Sequence, residues 1–199
     1  SEDSRFVQPG DAFIAVSQHP DQRLQHVQDA VKAGAAVVLL PEAIDLQTPI
    51  PLVPVADLAA YRSEIAARYY QSPSQDLCCV GITGTNGKTS IAWHIVDLSH
   101  RLGVATGYCG TLGWGELDQL QPTQLTTPSA VVLQSYLAAM RAQGASRVAM
   151  EVSSHALDQG RVSAVQFDVA VFSNLSRDHL DYHQTAAAYK EAKAKLFQN

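Results

Sequence analysis

Short apolar runs alternate along this chain with stretches in which apolar residues recur every three or four positions. Ala12-Phe13-Ile14-Ala15-Val16, Ala35 to Leu40, Leu77-Cys78-Cys79-Val80, Val104-Ala105-Thr106, Val148-Ala149-Met150 and Val169-Ala170-Val171-Phe172 read as strands. Most are apolar throughout rather than alternating, as in strands covered on both faces of a parallel sheet. Leu24, Val27, Ala30 and Val31 predict a helix that Gly34 ends. Asp57 can cap a helix whose apolar face is Leu58, Tyr61, Ile65 and Tyr69. Further helices are predicted through Ile91, Ile95, Val96 and Leu98, over about 128–141, and over about 185–197. Strands alternating with helices predict an α/β fold with a mostly parallel sheet.

Prolines 41, 49, 51 and 54 punctuate a loop with one short strand, Leu52-Val53. The polar, proline-bearing stretch Gln71 to Asp76 reads as a boundary, giving a small α/β domain over 1–72 and a second domain over 73–199. The second has few strands for a nucleotide-binding sheet, so a domain truncated at its C-terminal side is expected. A length of 199 residues, 46% apolar content and a net charge of −5 predict a globular, soluble protein, and a monomer is expected. That charge offers no basic surface for nucleic acid, and no apolar run has the length of a membrane span. The first residue is Ser, and no signal peptide is visible. Cys78 and Cys79 are adjacent on a strand and point to opposite faces, which suits packing better than a disulfide; with Cys109 they fit a reducing cytoplasm.

The stretch Gly81-Ile82-Thr83-Gly84-Thr85-Asn86-Gly87-Lys88-Thr89-Ser90 joins a predicted strand to a predicted helix. Backbone N–H groups of such a turn, with the helix N-terminus behind them, hold phosphate. Lys88 can reach the β- and γ-phosphates of a nucleotide, and the Thr89 hydroxyl can bind Mg²⁺. The first glycine of the common pattern falls on Ile82, so the loop is a variant.

Other candidates are weaker alone. Glu151 stands at a strand's carboxyl end, where ligands of parallel sheets gather, and reads equally well as a cation ligand or an ordinary carboxylate. Ser173 to His183 is dense in polar groups. His179 and His183 have the spacing of helical zinc ligands, but Leu180 stands where a metalloprotease needs glutamate. Thr127 is a good N-cap with Pro128 at the first helical position, and Thr126 need do nothing. Lys190, Lys193 and Lys195 read as solvated helix lysines.

Taken together, Gly84 to Thr89, Thr126-Thr127-Pro128-Ser129, Met150 to Leu157, Gln159-Gly160-Arg161-Val162 and Asn174 to His183 resemble the Mur ligases. Asp3-Ser4-Arg5 and Pro9-Gly10-Asp11 are similar to the UDP-binding domain of that family. The resemblance implies that Gly84, Thr85, Asn86, Gly87, Lys88, Thr89 and Ser90 bind ATP. It implies that Thr89, Glu151 and His179 place Mg²⁺, although that ion prefers oxygen to imidazole. Ser4 and His19 match uridine-contacting positions; Thr126, Thr127, Ser153, Gln159 and Arg161 match substrate-contacting ones. Lys193 matches a lysine that the family carbamylates to N6-carboxylysine, and Lys88, Lys193 and His179 are the implied catalytic residues.

The implied reaction is ATP-dependent amide formation in peptidoglycan precursor synthesis. It joins UDP-MurNAc-L-Ala-D-Glu to an amino acid, meso-diaminopimelate, with L-lysine the alternative. Selection of that amino acid is expected to need residues beyond Asn199, so the chain alone is expected to be inactive. A folylpolyglutamate synthetase should lack the leading domain. A non-catalytic ATP-binding module would not need Glu151, His179 and Lys193, and a P-loop kinase does not suit the loop spacing.

Overall fold

The computed structural model of the protein describes residues 1–198, with Leu180 described by its backbone alone. The chain divides into two compact units, Ser1–Arg62 and Ser63–Asn199.

In the first unit, β1 (Ala12–Ile14), β2 (Val37–Leu40) and β3 (Leu52–Pro54) form a parallel sheet in that order. Helix α1 (Pro20–Lys32) crosses from β1 to β2 and buries Val27 and Ala30 against Phe13, Ala15, Val38 and Leu40. Leu24, expected on that face, is 40% exposed, while Arg23 is buried and pairs with Glu42 at 2.7 Å.

The division falls inside α2 (Leu58–Tyr69), not in the polar stretch 71–76. The buried positions of α2 are Leu58, Ser63, Ala66 and Ala67; the expected face fails because Tyr61 and Tyr69 are 51% and 75% exposed. Their phenols favour a wet surface and leave the small residues to pack closely. Ser63 Oγ accepts from Ala164 N at 3.1 Å and donates to the Arg161 carbonyl at 3.4 Å, which fastens the C-terminal half of α2 to the second unit. Asp57 sits at φ +53°, outside the extended region of a side-chain N-cap, and its carbonyl accepts from Ala60 and Tyr61.

The second unit is a five-stranded sheet in the order β6-β5-β7-β4-β8. Its strands are β4 (Cys78–Thr83), β5 (Thr106–Gly110), β6 (Gly113–Gly115), β7 (Arg147–Glu151) and β8 (Val169–Phe172). All neighbours are parallel except the edge pair β5–β6. Helix α3 (Lys88–Arg101) packs Ala92 and Val96 on one face, with Val80, Ile82, Tyr108 and Ala149. Helix α4 (Ala130–Ala142) packs Leu133, Leu137 and Met140 on the other, where Cys79 and Cys109 are also buried. Helices α5 (Ser154–Asp158), α6 (Leu180–His183) and α7 (Ala186–Ala194) follow the carboxyl ends of β7 and β8. The three cysteines are free, as expected for packing residues. Val169 and Phe172 are nearly half exposed because β8 is an edge. No helix among the described residues is long and apolar enough to cross a membrane.

Three local expectations are corrected. The strand expected at 104–106 starts at Thr106 and runs through Gly110, since Gly107 lets the chain lie against the Met140 side chain. Residues 113–115, outside every expected strand and helix, form β6. The N-cap of α4 is Ser129, not Thr127, and Pro128 precedes the helix.

Candidate nucleotide site

Strand β4 ends at Thr83, and Gly84 and Gly87 turn the chain into α3 with φ of +145° and +85°. Those angles belong to glycine. A Cβ on Gly84 would also lie 1.9 Å from Ser173 Oγ. Lys88 opens α3 and folds back, with Nζ donating to the Gly84 and Thr85 carbonyls at 2.9 and 3.0 Å. Burial lowers its pKa, partly opposed by the charges of Glu151 and Asp178. The chain leaving β8 braces the loop. Asn174 accepts from Thr85 N and Asn86 N through its carbonyl and Oδ1, while Ser173 Oγ donates to the Asn86 carbonyl at 2.6 Å.

Glu151, the last residue of β7, is buried within this site. Its Oε2 accepts from Thr89 Oγ1 at 2.9 Å and Thr111 Oγ1 at 3.2 Å. Its Oε1 accepts from Tyr108 Oη at 2.5 Å and Thr111 N at 2.9 Å. Hydroxyl and carboxylate oxygens side by side are a donor set suited to Mg²⁺, so Thr89 and Glu151 fit that ion.

Lys193 comes to the same loop from α7. It is 2% exposed, its Nζ donates to the Gly84 carbonyl at 2.9 Å, and it lies 4.5 Å from the centre of the Tyr189 ring. Burial, then the Lys88 charge, push its pKa down to about 8. Lys190 is exposed and Lys195 is paired with Asp158, so one of the three lysines is drawn inward. Tyr189 Oη shares a hydrogen bond with Thr85 Oγ1 at 3.0 Å. The His179 ring packs edge-on to His155 at 5.0 Å and lies 6.0 Å from Tyr189. No hydrogen bond or ring contact joins His179 to Thr89 or Glu151 among the described residues, and no group of three potential metal-ligating side chains is found there.

Beyond the cation side, Thr127 Oγ1 donates to the Glu151 carbonyl at 2.9 Å and accepts from Ser153 N at 3.0 Å. This buried role replaces the N-cap expected of it. Arg161 donates to the Thr127 carbonyl at 2.8 Å and clasps Gln159 Oε1 through Nε and Nη2. Thr126 shares a hydroxyl hydrogen bond with Thr111 at 3.1 Å. Thr126, Thr127, Ser153, Gln159 and Arg161 thus form one connected group running from Glu151. In the first unit, Ser4 opens a short 3₁₀ turn that Asp3 caps, and His19 is the exposed N-cap residue of α1.

The model of the Mur ligase middle domain matches residues 82–199. The chain belongs to the Mur ligase family. A curated relative from Pseudomonas putida, named UDP-N-acetylmuramoyl-L-alanyl-D-glutamate--2,6-diaminopimelate ligase, is 50% identical over 198 residues, covering 98% of this chain and 40% of its own length. A protein of the same name from Coxiella burnetii is 48% identical over 200 residues, covering 98% and 41%. A solved structure with that name superposes with a TM-score of 0.86 at 38% identity, over all of this chain and 40% of its own. MurF from Thermotoga maritima, solved with ADP, shares the fold at a TM-score of 0.63 and 19% identity, over 98% of this chain and 42% of its own. The chain therefore spans about two fifths of the curated relatives it matches.

Several residues that build this Mur ligase site escaped the sequence reading. Tyr108 and Thr111 lie beyond the strand expected at 104–106, and no motif marks them. Asn174 was legible only as part of a polar strand exit. Tyr189 reads as one more apolar helix position until its hydroxyl is found on Thr85.

Proposed function

We propose that this chain is the UDP-substrate-binding and ATP-binding part of a cytoplasmic ligase that adds meso-diaminopimelate to UDP-MurNAc-L-Ala-D-Glu. The observation that carries the reading is the hydrogen bond between Thr89 and Glu151. It pairs a phosphate-loop hydroxyl with a buried carboxylate from the neighbouring strand, where a cation at the triphosphate needs both. The names of relatives at about half identity support the substrate and the amino acid.

In this reading Gly84 to Ser90 cradle ATP, and Lys88 swings from the carbonyls that hold it to the phosphates. Thr89 and Glu151 hold Mg²⁺, which when bound neutralises charge on the triphosphate. A carboxylate oxygen of the muramyl dipeptide attacks the γ-phosphorus, and ADP leaves. The amine then attacks the acyl carbon, losing a proton as phosphate departs. Such chemistry needs chiefly positioning and charge neutralisation. Ser4 and His19 contact the uridine end, and Thr126, Thr127, Ser153, Gln159 and Arg161 orient the peptide end.

Lys193 serves as N6-carboxylysine. Its lowered pKa supports this, because only the neutral amine adds CO₂, releasing a proton and leaving an anion beside Lys88. His179, packed on Tyr189, is the third residue proposed to place Mg²⁺ with Thr89 and Glu151.

Thermal unfolding with each ligand alone tests the reading. Mg²⁺–ATP and the UDP-muramyl dipeptide should each raise the melting temperature, since a ligand at a hundred times its dissociation constant adds about 2.7 kcal/mol. Lys88→Ala should lose the first shift and keep the second. A response to ATP alone would reduce the chain to a nucleotide-binding module.

A further inference from the structure

Glu151 does not stand by itself at the end of β7; it is held by Tyr108, a residue to which no role has yet been given. Strands β5 and β7 run parallel with Tyr108 beside Ala149 and Cys109 beside Met150. Side chains two residues apart on a strand share a face. Tyr108 therefore lies on the face that Glu151 uses, and its ring runs along the sheet toward the strand ends. The ring is fully buried among Val80, Ile82, Ala92, Val96 and Ala149. Trp93 packs edge-on against it, 6.5 Å between centres. So anchored, the ring delivers its hydroxyl to Glu151 Oε1 at 2.5 Å.

The approach requires Gly110. A Cβ there would come within 2.3 Å of Glu151 Oε1 and 2.6 Å of Tyr108 Oη. The glycine leaves the gap through which phenol and carboxylate meet. Thr111 N adds a second bond to the same oxygen. Oε1 is thus occupied by protein donors, and Oε2 is turned toward Thr89.

We propose that Tyr108 is a positioning residue for the cation site: its hydroxyl fixes the carboxylate of Glu151 so that Oε2 faces the Thr89 hydroxyl. The inference rests on the nucleotide-binding reading above. A carboxylate held this way binds Mg²⁺ without first giving up rotational freedom, and Mg²⁺ tolerates little departure from its octahedral angles. Burial and the adjacent carboxylate both raise the Tyr108 pKa, so the phenol remains the donor throughout the neutral range.

The test is Tyr108→Phe in the 199-residue chain, with ATP binding measured by calorimetry across an Mg²⁺ titration. Loss of one hydrogen bond to a charged group corresponds to about a tenfold effect or more. The Mg²⁺ concentration at half-maximal enhancement of ATP binding should rise by about that factor, while ATP affinity in EDTA stays within about twofold. A merely structural loss would weaken both equally. A parallel measurement needs no variant. The Tyr108 hydroxyl proton in the unaltered chain should give a slowly exchanging downfield resonance that moves when Mg²⁺ and ATP are added. An unchanged Mg²⁺ requirement in Tyr108→Phe overturns the proposal, and if that variant does not fold, an unmoved or missing resonance does so. ATP binding by the parent chain without any Mg²⁺ dependence also overturns it, whereas a parent chain that binds no ATP at any Mg²⁺ concentration removes the nucleotide reading itself, which separates the two failures.

Discussion

Lys193 ends where its charge is resisted. Its ammonium is buried and shares the Gly84 carbonyl with Lys88, and the Tyr189 ring face and the charge of Asp178 offset that burial only in part. A pKa of about 8 against an ordinary 10.5 has a definite sign in stability. Below pH 8 both states carry the proton, and the folded chain bears the full cost of burying it. Between pH 8 and 10.5 the unfolded chain holds more protons, so stability rises with pH; above that window the cost is gone. Lys193→Met keeps the unbranched apolar part of the side chain and leaves Lys88 to satisfy Gly84. Under CO₂-free conditions it should be more stable than the parent at pH 7, with the difference closing as pH rises through that window. Urea midpoints at a series of pH values measure this, and a difference independent of pH would contradict the burial argument.

The phosphate loop and the β8 exit act as one element, because each fills the other's hydrogen bonds. Thr85 N, Asn86 N and the Asn86 carbonyl all find partners on Ser173 or Asn174. Gly84→Ala would force the two apart, at a cost of about 1–3 kcal/mol in overpacking, before counting its left-handed backbone. The melting temperature should fall and ATP binding weaken together, and an unperturbed melting temperature would argue against this bracing. The period of the sequence was enough to find β4, β8 and α7, since each carries an unbroken apolar run or a clear helical face. It misplaced β5, expected at 104–106, and missed β6, because Gly107, Gly110, Gly113 and Gly115 interrupt the apolar pattern although the sheet buries them. Thr127 has the chemistry of an N-cap, and only the Glu151 carbonyl beside it decides otherwise. Glu151 was visible from its strand end, whereas Lys193 was not separable from Lys190 and Lys195 by spacing. Burial there depends on contacts with Gly84, more than a hundred positions away in the chain.

Across the whole molecule, the division into units has a consequence for where the chain can be cut. The polar stretch 71–76 has the composition of a linker, yet the second unit claims α2 back to Ser63. Ser63, Ala66 and Ala67 are buried, and Ser63 satisfies both Ala164 N and the Arg161 carbonyl. A fragment beginning at Pro73 exposes the surface under those residues and orphans that N–H; one beginning at Asp57 keeps the helix. The two hydrogen bonds and the small apolar area together contribute about 2–4 kcal/mol. For a unit of this size each kcal/mol moves the melting temperature by about 3 °C. The Pro73 fragment should therefore melt roughly 6–12 °C below the Asp57 fragment. Because Arg161 is held through the same segment, the shorter fragment should also respond less to the UDP-muramyl dipeptide, while its response to Mg²⁺–ATP persists. Equal melting temperatures would put the working boundary back at the polar stretch and make α2 dispensable to the nucleotide-binding unit.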